Sequence, residues 1–325
     1  MDSSKKTVLL TGASGFVGRA ILNDLSQRSL FNIRVSTRDS SAKFGPAIES
    51  AVINGLSSEQ CWSQALEGVD LVVHSAARVH IMNSTRANSM ALYREVNVAG
   101  TLQLASQAAA CGVQRFIFIS SIKVNGEGSP LNKPYRADSP PNPVDEYGIS
   151  KYEAELGLKK IAAETSMQVV IIRPTLVYGP GVKANFLTMM NVIDKGIPLP
   201  FGRIRNQRSF VALDNLVDFI FHCLGHPAAA NETFLISDGE DVSTSELLKR
   251  IAYALGRSSR LFPFPVNVIK VLFFIVGKKS LSDRLCGNLQ VDITKNRELL
   301  GWTPPVALNE ALRKTVIHFK GNTSR

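Results

Sequence analysis

The chain has 325 residues, 45% apolar and 20% charged, a globular composition that excludes disordered, collagen-like and coiled-coil architectures. Its length suits about two domains or one large α/β unit. The formal charge of +10 fits an anionic small molecule or an acidic membrane face. The basic residues are dispersed rather than blocked, which argues against a nucleic-acid partner.

Cys61, Cys111, Cys223 and Cys286 lie far apart, with no zinc spacing and no disulfide framework. The histidines show no ligand spacing either, so no metal is expected. The N-terminus lacks the order of regions that marks a signal peptide, and Val271–Val276 is too short to cross a bilayer. A soluble, cytoplasmic protein with reduced thiols is the expectation.

In chain order, Thr7–Leu10 reads as a strand and Phe16–Leu25 as a helix. Ile33–Thr37 and Ala51–Ile53 read as strands, Ser58–Leu66 as a helix and Asp70–His74 as a strand. Asn88–Cys111 reads as one long helix, and Arg115–Ser120 as a strand. Helix Tyr147–Glu164 then leads into strand Gln168–Arg173. Apolar, β-branched runs alternating with helices predict a doubly wound parallel α/β sheet of Rossmann type, covered on both faces. After Pro174 the pattern breaks, with helices at Asp214–Leu224 and Ser243–Leu255. Residues 1–174 are expected to bind a dinucleotide. Residues 175–325 are expected to form a smaller, discontinuous substrate lobe, some of it packing back on the first.

The first strand runs into Thr11-Gly12-Ala13-Ser14-Gly15-Phe16-Val17-Gly18 and then a helix. Glycines there let the backbone approach a pyrophosphate, which the helix N-terminus stabilises. The spacing GxxGxxG is one residue wider than GxGxxG. At the end of the second strand Arg38 precedes any carboxylate, with Lys43 nearby, which favours the 2′-phosphate of NADP. Asp39 turned toward the ribose would instead favour NAD. Tyr147 and Lys151, four residues apart, share a helix face, and a neighbouring cation, with the positive charge of an oxidised nicotinamide, favours the phenolate. Ser120 and Ser121 offer a hydroxyl for a substrate oxygen.

TGASGFVG, His74-Ser-Ala-Ala77, the Asn97–Thr101 stretch, FISSIKVNGE and YGISK together resemble an extended short-chain dehydrogenase/reductase of the NAD(P)-dependent epimerase/dehydratase family, over almost the whole chain. That resemblance implies Ser121, Tyr147 and Lys151 as the catalytic set, with Lys151 also holding the nicotinamide ribose. It implies Gly12, Ser14, Gly15, Phe16, Val17, Gly18, Leu56, Ala76, Ala77 and Pro174 around the dinucleotide. The family's usual Asp before Leu is Gly55 here. Asn185, Phe201, Arg208 and, by a looser match, Arg284 resemble the clamp on a UDP-sugar diphosphate.

Ile122-Lys123 stands where a dehydratase carries Asp-Glu. The segments SSIKVNGE and RPTLVYGPGVKANF look closest to NADPH-dependent 4-ketoreductases acting on UDP-2-acetamido-2,6-dideoxy-hexos-4-uloses for surface polysaccharide (O-antigen). A UDP-sugar 4-epimerase is the alternative and a non-catalytic dinucleotide sensor a remote one. A homodimer is implied. Val266–Val276, backed by Lys278 and Lys279, reads either as a core or lid helix or as a membrane-surface helix.

Overall fold

The computed structural model describes residues 5–79 and 86–323; His80 lies outside them. The first half comprises β1 (Thr7–Thr11), α1 (Phe16–Arg28), β2 (Asn32–Thr37), β3 (Ile48–Val52), α2 (Ser63–Leu66), β4 (Leu71–His74) and α3 (Arg86–Tyr93). A π-helical segment, Arg94–Ala99, joins α3 to α4 (Gly100–Ala110). Next come β5 (Arg115–Ile119), α5 (Glu146–Glu164), β6 (Gln168–Pro174), β7 (Leu176–Tyr178) and α6 (Ala184–Asp194). The second half continues with β8 (Arg208–Ala212), α7 (Leu213–Gly225), β9 (Thr233–Ile236), β10 (Asp241–Val242) and α8 (Thr244–Leu255). It ends in α9 (Val266–Ile275), α10 (Lys279–Cys286), α11 (Thr294–Leu300) and α12 (Leu308–Thr323).

Seven strands form a parallel sheet in the order β3-β2-β1-β4-β5-β6-β9. Side-chain alternation decides which face each residue covers. On β1, Val8 and Leu10 join the core beneath α1 and α7, whereas Leu9 joins the opposite core beneath α4 and α5. Val169 and Ile171 of β6 likewise face away from Val170 and Ile172. The sheet is therefore a doubly wound Rossmann arrangement buried on both sides.

The chain beyond Pro174 contributes β9 and α7 to this body. A second sheet, β10-β8-β7, packs with α6, α8 and α12 around Tyr178, Phe186, Phe210 and Leu248. Strand order reverses between β1 and β4, which opens a crevice at their carboxyl ends.

Two helices differ from the sequence reading. Only Ser63–Leu66 of the stretch 58–66 is helical. Ahead of it, the Gln107 amide takes backbone groups a helix would use: its Oε1 accepts from Trp62 N–H and its Nε2 donates to Gln60 O. The long helix predicted at 88–111 is interrupted by the π segment, which hydrophobic periodicity does not reveal.

Candidate active site

At the switch point the turn after β1 is forced by close approach. Gly12 has φ of 75°, and a Cβ there would lie 2.8 Å from Ala76 N. A Cβ on Gly18 would lie 2.0 Å from Gly12 O, so the first turn of α1 can sit on the loop only with glycine. Gly15 is the N-cap of α1 and no side chain caps it. The free end of the helix dipole thus points into a cavity of about 980 Å³.

The cavity is lined by Gly12, Ser14, Gly15, Phe16, Val17 and Gly18, by Arg38, by Leu56 and by Ala76 and Ala77. Asn185 lies on its far wall. Volume, glycine cradle and uncapped helix all suit a dinucleotide. Gly100 follows from the same geometry, because a Cβ there would lie 2.8 Å from the Leu56 backbone.

Arg38 and Asp39 are treated differently by the loop that follows β2. Arg38 lines the cavity. Asp39 accepts hydrogen bonds from Ser41 N–H at 2.9 Å and Ser41 Oγ at 2.6 Å, which hold its carboxyl below the usual range. Its side chain is committed to its own turn. Two of the expected residues do not line the cavity. Lys43 is exposed, and its neighbour Phe44 lines the cavity instead. Pro174 is buried in β6 opposite Ile236, and Leu176 and Val177 form that wall.

Beside the cavity, β5 delivers the serine pair and α5 delivers Tyr147 and Lys151. The two serines part at the strand end. Ser120 is buried and donates to Glu155 Oε1 at 2.5 Å, whereas Ser121 Oγ accepts from Lys123 N–H and caps the turn Ile122–Val124. Asp145 caps α5 by accepting from Gly148 N–H at 2.7 Å, which fixes the turn that carries Tyr147. The Tyr147 ring meets Tyr93 edge-on at 6.2 Å, and Tyr93 Oη donates to Val79 O on the cavity wall. Lys151 Nζ donates to Ile119 O at 2.8 Å and lies 4.2 Å from the Phe118 ring centre.

In the chain alone, Lys151 is not among the charges that act most on the phenol. Burial pushes Tyr147 up, and the charges of Asp145 and Tyr93 add to the rise. Burial also brings Lys151 down to about 7, against an opposing pull from Glu155. The chain's own groups hold the phenol protonated, so a lowering of Tyr147 requires positive charge from a bound molecule. His74, pushed down to about 3 by burial and by Lys151, stays neutral between Thr11 Oγ1 and Thr101 Oγ1. Among the described residues no His, Cys, Asp or Glu cluster could hold a metal ion.

Asn97 and Lys123 escaped the sequence reading as site residues. Asn97 is 1% exposed; its amide accepts from Arg78 N–H and donates to Arg78 O and Ser150 Oγ, tying the cavity wall to α5. The π segment aims it there, and no periodicity marks it. Lys123 pairs with Asp145 and with Glu127 at 3.2 Å, and its Nζ lies 5.9 Å from the Tyr147 ring centre.

Of the expected substrate contacts, Arg208 and Arg284 come together. Burial and the Arg284 charge bring Arg208 down to about 10, with Glu127 opposing. Glu127 lies 3.9 Å from Arg284, and Arg208 also donates to Gly287 O at 3.0 Å. Two guanidinium groups close enough to repel, with Glu127 the carboxylate acting on both, are suited to an anion with more than one charge. Phe201 packs instead against the second-sheet core, its carbonyl accepting from Ser245 Oγ.

Residues 8–237 match the model of the NAD dependent epimerase/dehydratase family. A UDP-glucose 4-epimerase of Vibrio cholerae is 47% identical over 316 residues, 97% of this chain and 95% of that protein. An N-acetyl-α-D-glucosaminyl-diphospho-undecaprenol 4-epimerase of Escherichia coli O157:H7 is 31% identical, over 95% of this chain and 94% of its own length. Among solved structures, UDP-glucose 4-epimerase of Thermotoga maritima with UDP-glucose shares the fold. It has a TM-score of 0.75 and 24% identity, and the match covers 98% of this chain and 99% of that one. UDP-glucuronic acid 4-epimerase of Bacillus cereus in complex with NAD does so too. Its TM-score is 0.78 at 21% identity, over 97% of this chain and 96% of that one.

Proposed function

The chain belongs to the NAD dependent epimerase/dehydratase family, and from that premise we propose that it inverts C4 of a UDP-hexose, using NAD. The observation that carries this reading is the 47% identity with the Vibrio cholerae UDP-glucose 4-epimerase across 97% of the chain. It replaces the 4-ketoreductase expected from the sequence motifs as the leading assignment. The Escherichia coli relative also acts at C4 of a sugar diphosphate, although its carrier is undecaprenol rather than uridine.

In this reading Gly12, Gly15, Gly18 and the N-terminus of α1 hold the pyrophosphate of NAD, with Ala76, Ala77 and Leu56 against the remainder. Bound NAD would supply the redox chemistry at C4. Tyr147 takes and returns the proton on the C4 oxygen, Ser121 holds that oxygen, and Lys151 supports the phenol. Arg208 and Arg284 grip the diphosphate, so the hexose can turn over while its carrier stays fixed. Ile122 and Lys123, where a dehydratase carries acids, favour inversion over loss of water. The reading includes a cytoplasmic homodimer; Leu156 on α5 is half-exposed and available for pairing.

The test is incubation with UDP-glucose without added reductant, followed by NMR of the sugar. Formation of the C4 epimer is expected. No interconversion, together with reduction of a UDP-4-keto-6-deoxy-N-acetylhexosamine by NADPH, would return the reductase to first place.

One observation favours that second reading: Arg38 lines the cavity while Asp39 is turned into its own loop. A charge-assisted contact to a 2′-phosphate runs at roughly 1.5–3 kcal/mol. On the NADP reading, Arg38→Ala weakens NADPH by about 10-fold or more and leaves NADH nearly unchanged. Equal losses for both, or a wild-type preference for NADH, assign the pocket to NAD. Titration of both proteins with both cofactors decides it.

A pH prediction concerns Lys123. Asp145 raises Tyr147, and Lys123 offsets that carboxylate by pairing with it. In Lys123→Met the uncompensated charge raises the phenol further. The rising limb of the kcat–pH profile should move to higher pH, and kcat at neutral pH should fall roughly 3–10-fold. Lys123→Arg should restore the profile. A limb that stays in place in Lys123→Met would show that Tyr147 does not sense Asp145.

A further inference from the structure

The active site makes no use of α9, and its outward face is the largest run of exposed apolar side chains on the described chain. Val268, Val271, Leu272 and Ile275 follow the i, i+3, i+4, i+7 spacing of a single helical stripe. They are 42, 55, 53 and 72% exposed. Phe274 and Val276, at 69% and 62%, widen the patch, while Ile269, 2% exposed, anchors the opposite side. A single exposed leucine needs no explanation, but six neighbouring apolar side chains do. This exposure removes the core-helix expectation for the segment.

The charge around the stripe is mainly positive. Residues 263–283 contain Lys270, Lys278 and Lys279 against a single acid, Asp283 on α10. Lys278 and Lys279 are exposed and follow directly on the apolar stripe. A second copy of the same face, related by a two-fold axis, would bring these three lysines together with only Asp283 of each copy to offset them. An anionic lipid surface supplies what both features need, an apolar layer beneath a negative one. At ten residues α9 spans about 15 Å, half a bilayer core, so it can lie on a membrane but not cross it.

We infer that the apolar stripe of α9 and the adjoining Lys278–Lys279 pair form a docking surface for an anionic phospholipid membrane. The helix lies in the interface, with Val268, Val271, Leu272 and Ile275 toward the acyl boundary and the two lysines at the headgroups. Because α9 packs on α10, which carries Arg284, docking would hold the candidate diphosphate clamp close to the bilayer. The surface does not depend on which sugar diphosphate is turned over, and its test needs no turnover.

The test is co-sedimentation of the full chain with phosphatidylcholine vesicles, with and without phosphatidylglycerol. Pelleting is expected only with the anionic vesicles, falling with added salt. Val271→Glu/Ile275→Glu and Lys278→Glu/Lys279→Glu should each weaken it about 10-fold or more. Both should keep the wild-type melting temperature, since these side chains are exposed. The proposal is overturned if the wild type fails to pellet with anionic vesicles, or if it pellets equally with phosphatidylcholine alone. It is overturned too if correctly folded variants pellet as the wild type does. Sedimentation velocity supplies the last arm: a dimer made monomeric by Val271→Glu/Ile275→Glu would assign the face to a second copy instead.

Discussion

Tyr147→Phe should lower kcat by roughly 10²–10⁴-fold and leave dinucleotide affinity nearly unchanged, because general acid–base assistance is lost and little binding is. The substitution keeps the ring that meets Tyr93 at 6.2 Å, so the wall of the cavity is preserved. Burial and Asp145 hold the phenol protonated in the chain alone. On the proposed mechanism, deprotonation therefore needs added positive charge nearby, and proton transfer is expected only in the loaded enzyme. Steady-state kinetics on the UDP-sugar, beside a cofactor titration, separates the two effects. Near wild-type turnover in Tyr147→Phe would remove the residue from the mechanism.

The second large effect is on stability. Arg173 and Glu155 form an ion pair with side chains 3% and 1% exposed, at 2.5 Å. Ser120 Oγ and Arg173 Nε both donate to Glu155, and Arg173 also donates to Asn125 Oδ1. The arrangement bolts β6, α5 and the turn after β5 together directly behind Ser121. Arg173→Met strands a carboxylate in the core, at a cost of about 3–5 kcal/mol. For a chain of this size the melting temperature should fall by roughly 5–15 °C. Arg173→Met with Glu155→Leu removes both charges and should recover much of the loss, since well-packed apolar side chains can replace a buried pair. A single variant melting within about 2 °C of wild type would show that the pair is not a keystone.

Much of this architecture was legible before any coordinates. Apolar runs such as Val8–Leu10 and Val169–Ile172, buried on both faces, are what a parallel sheet requires of its sequence. The glycine turn after β1 carries its own reason, since Gly12 and Gly18 stand where a Cβ would strike backbone. Most of these signals are local, since a strand's alternation, the left-handed Gly12 and the Gly18–Gly12 approach are set by near neighbours; the approach of Ala76 to Gly12 is the distant part.

Features that depend on contacts distant in sequence were not legible. The motif offered both Ser120 and Ser121, and only the approach of Glu155 commits Ser120 to the core. Lys43 and Pro174 were expected at the cavity, but Lys43 stays exposed beside Phe44, and the pairing of β6 with β9 buries Pro174 against Ile236. Charge placed Lys151, with an oxidised nicotinamide, as lowering Tyr147, whereas in the chain alone desolvation raises Tyr147 and lowers Lys151. The composition of Val266–Val276 favoured a core or lid helix over a membrane-surface one. Only the tertiary structure exposed its stripe, because burial is decided by which elements arrive to cover a face.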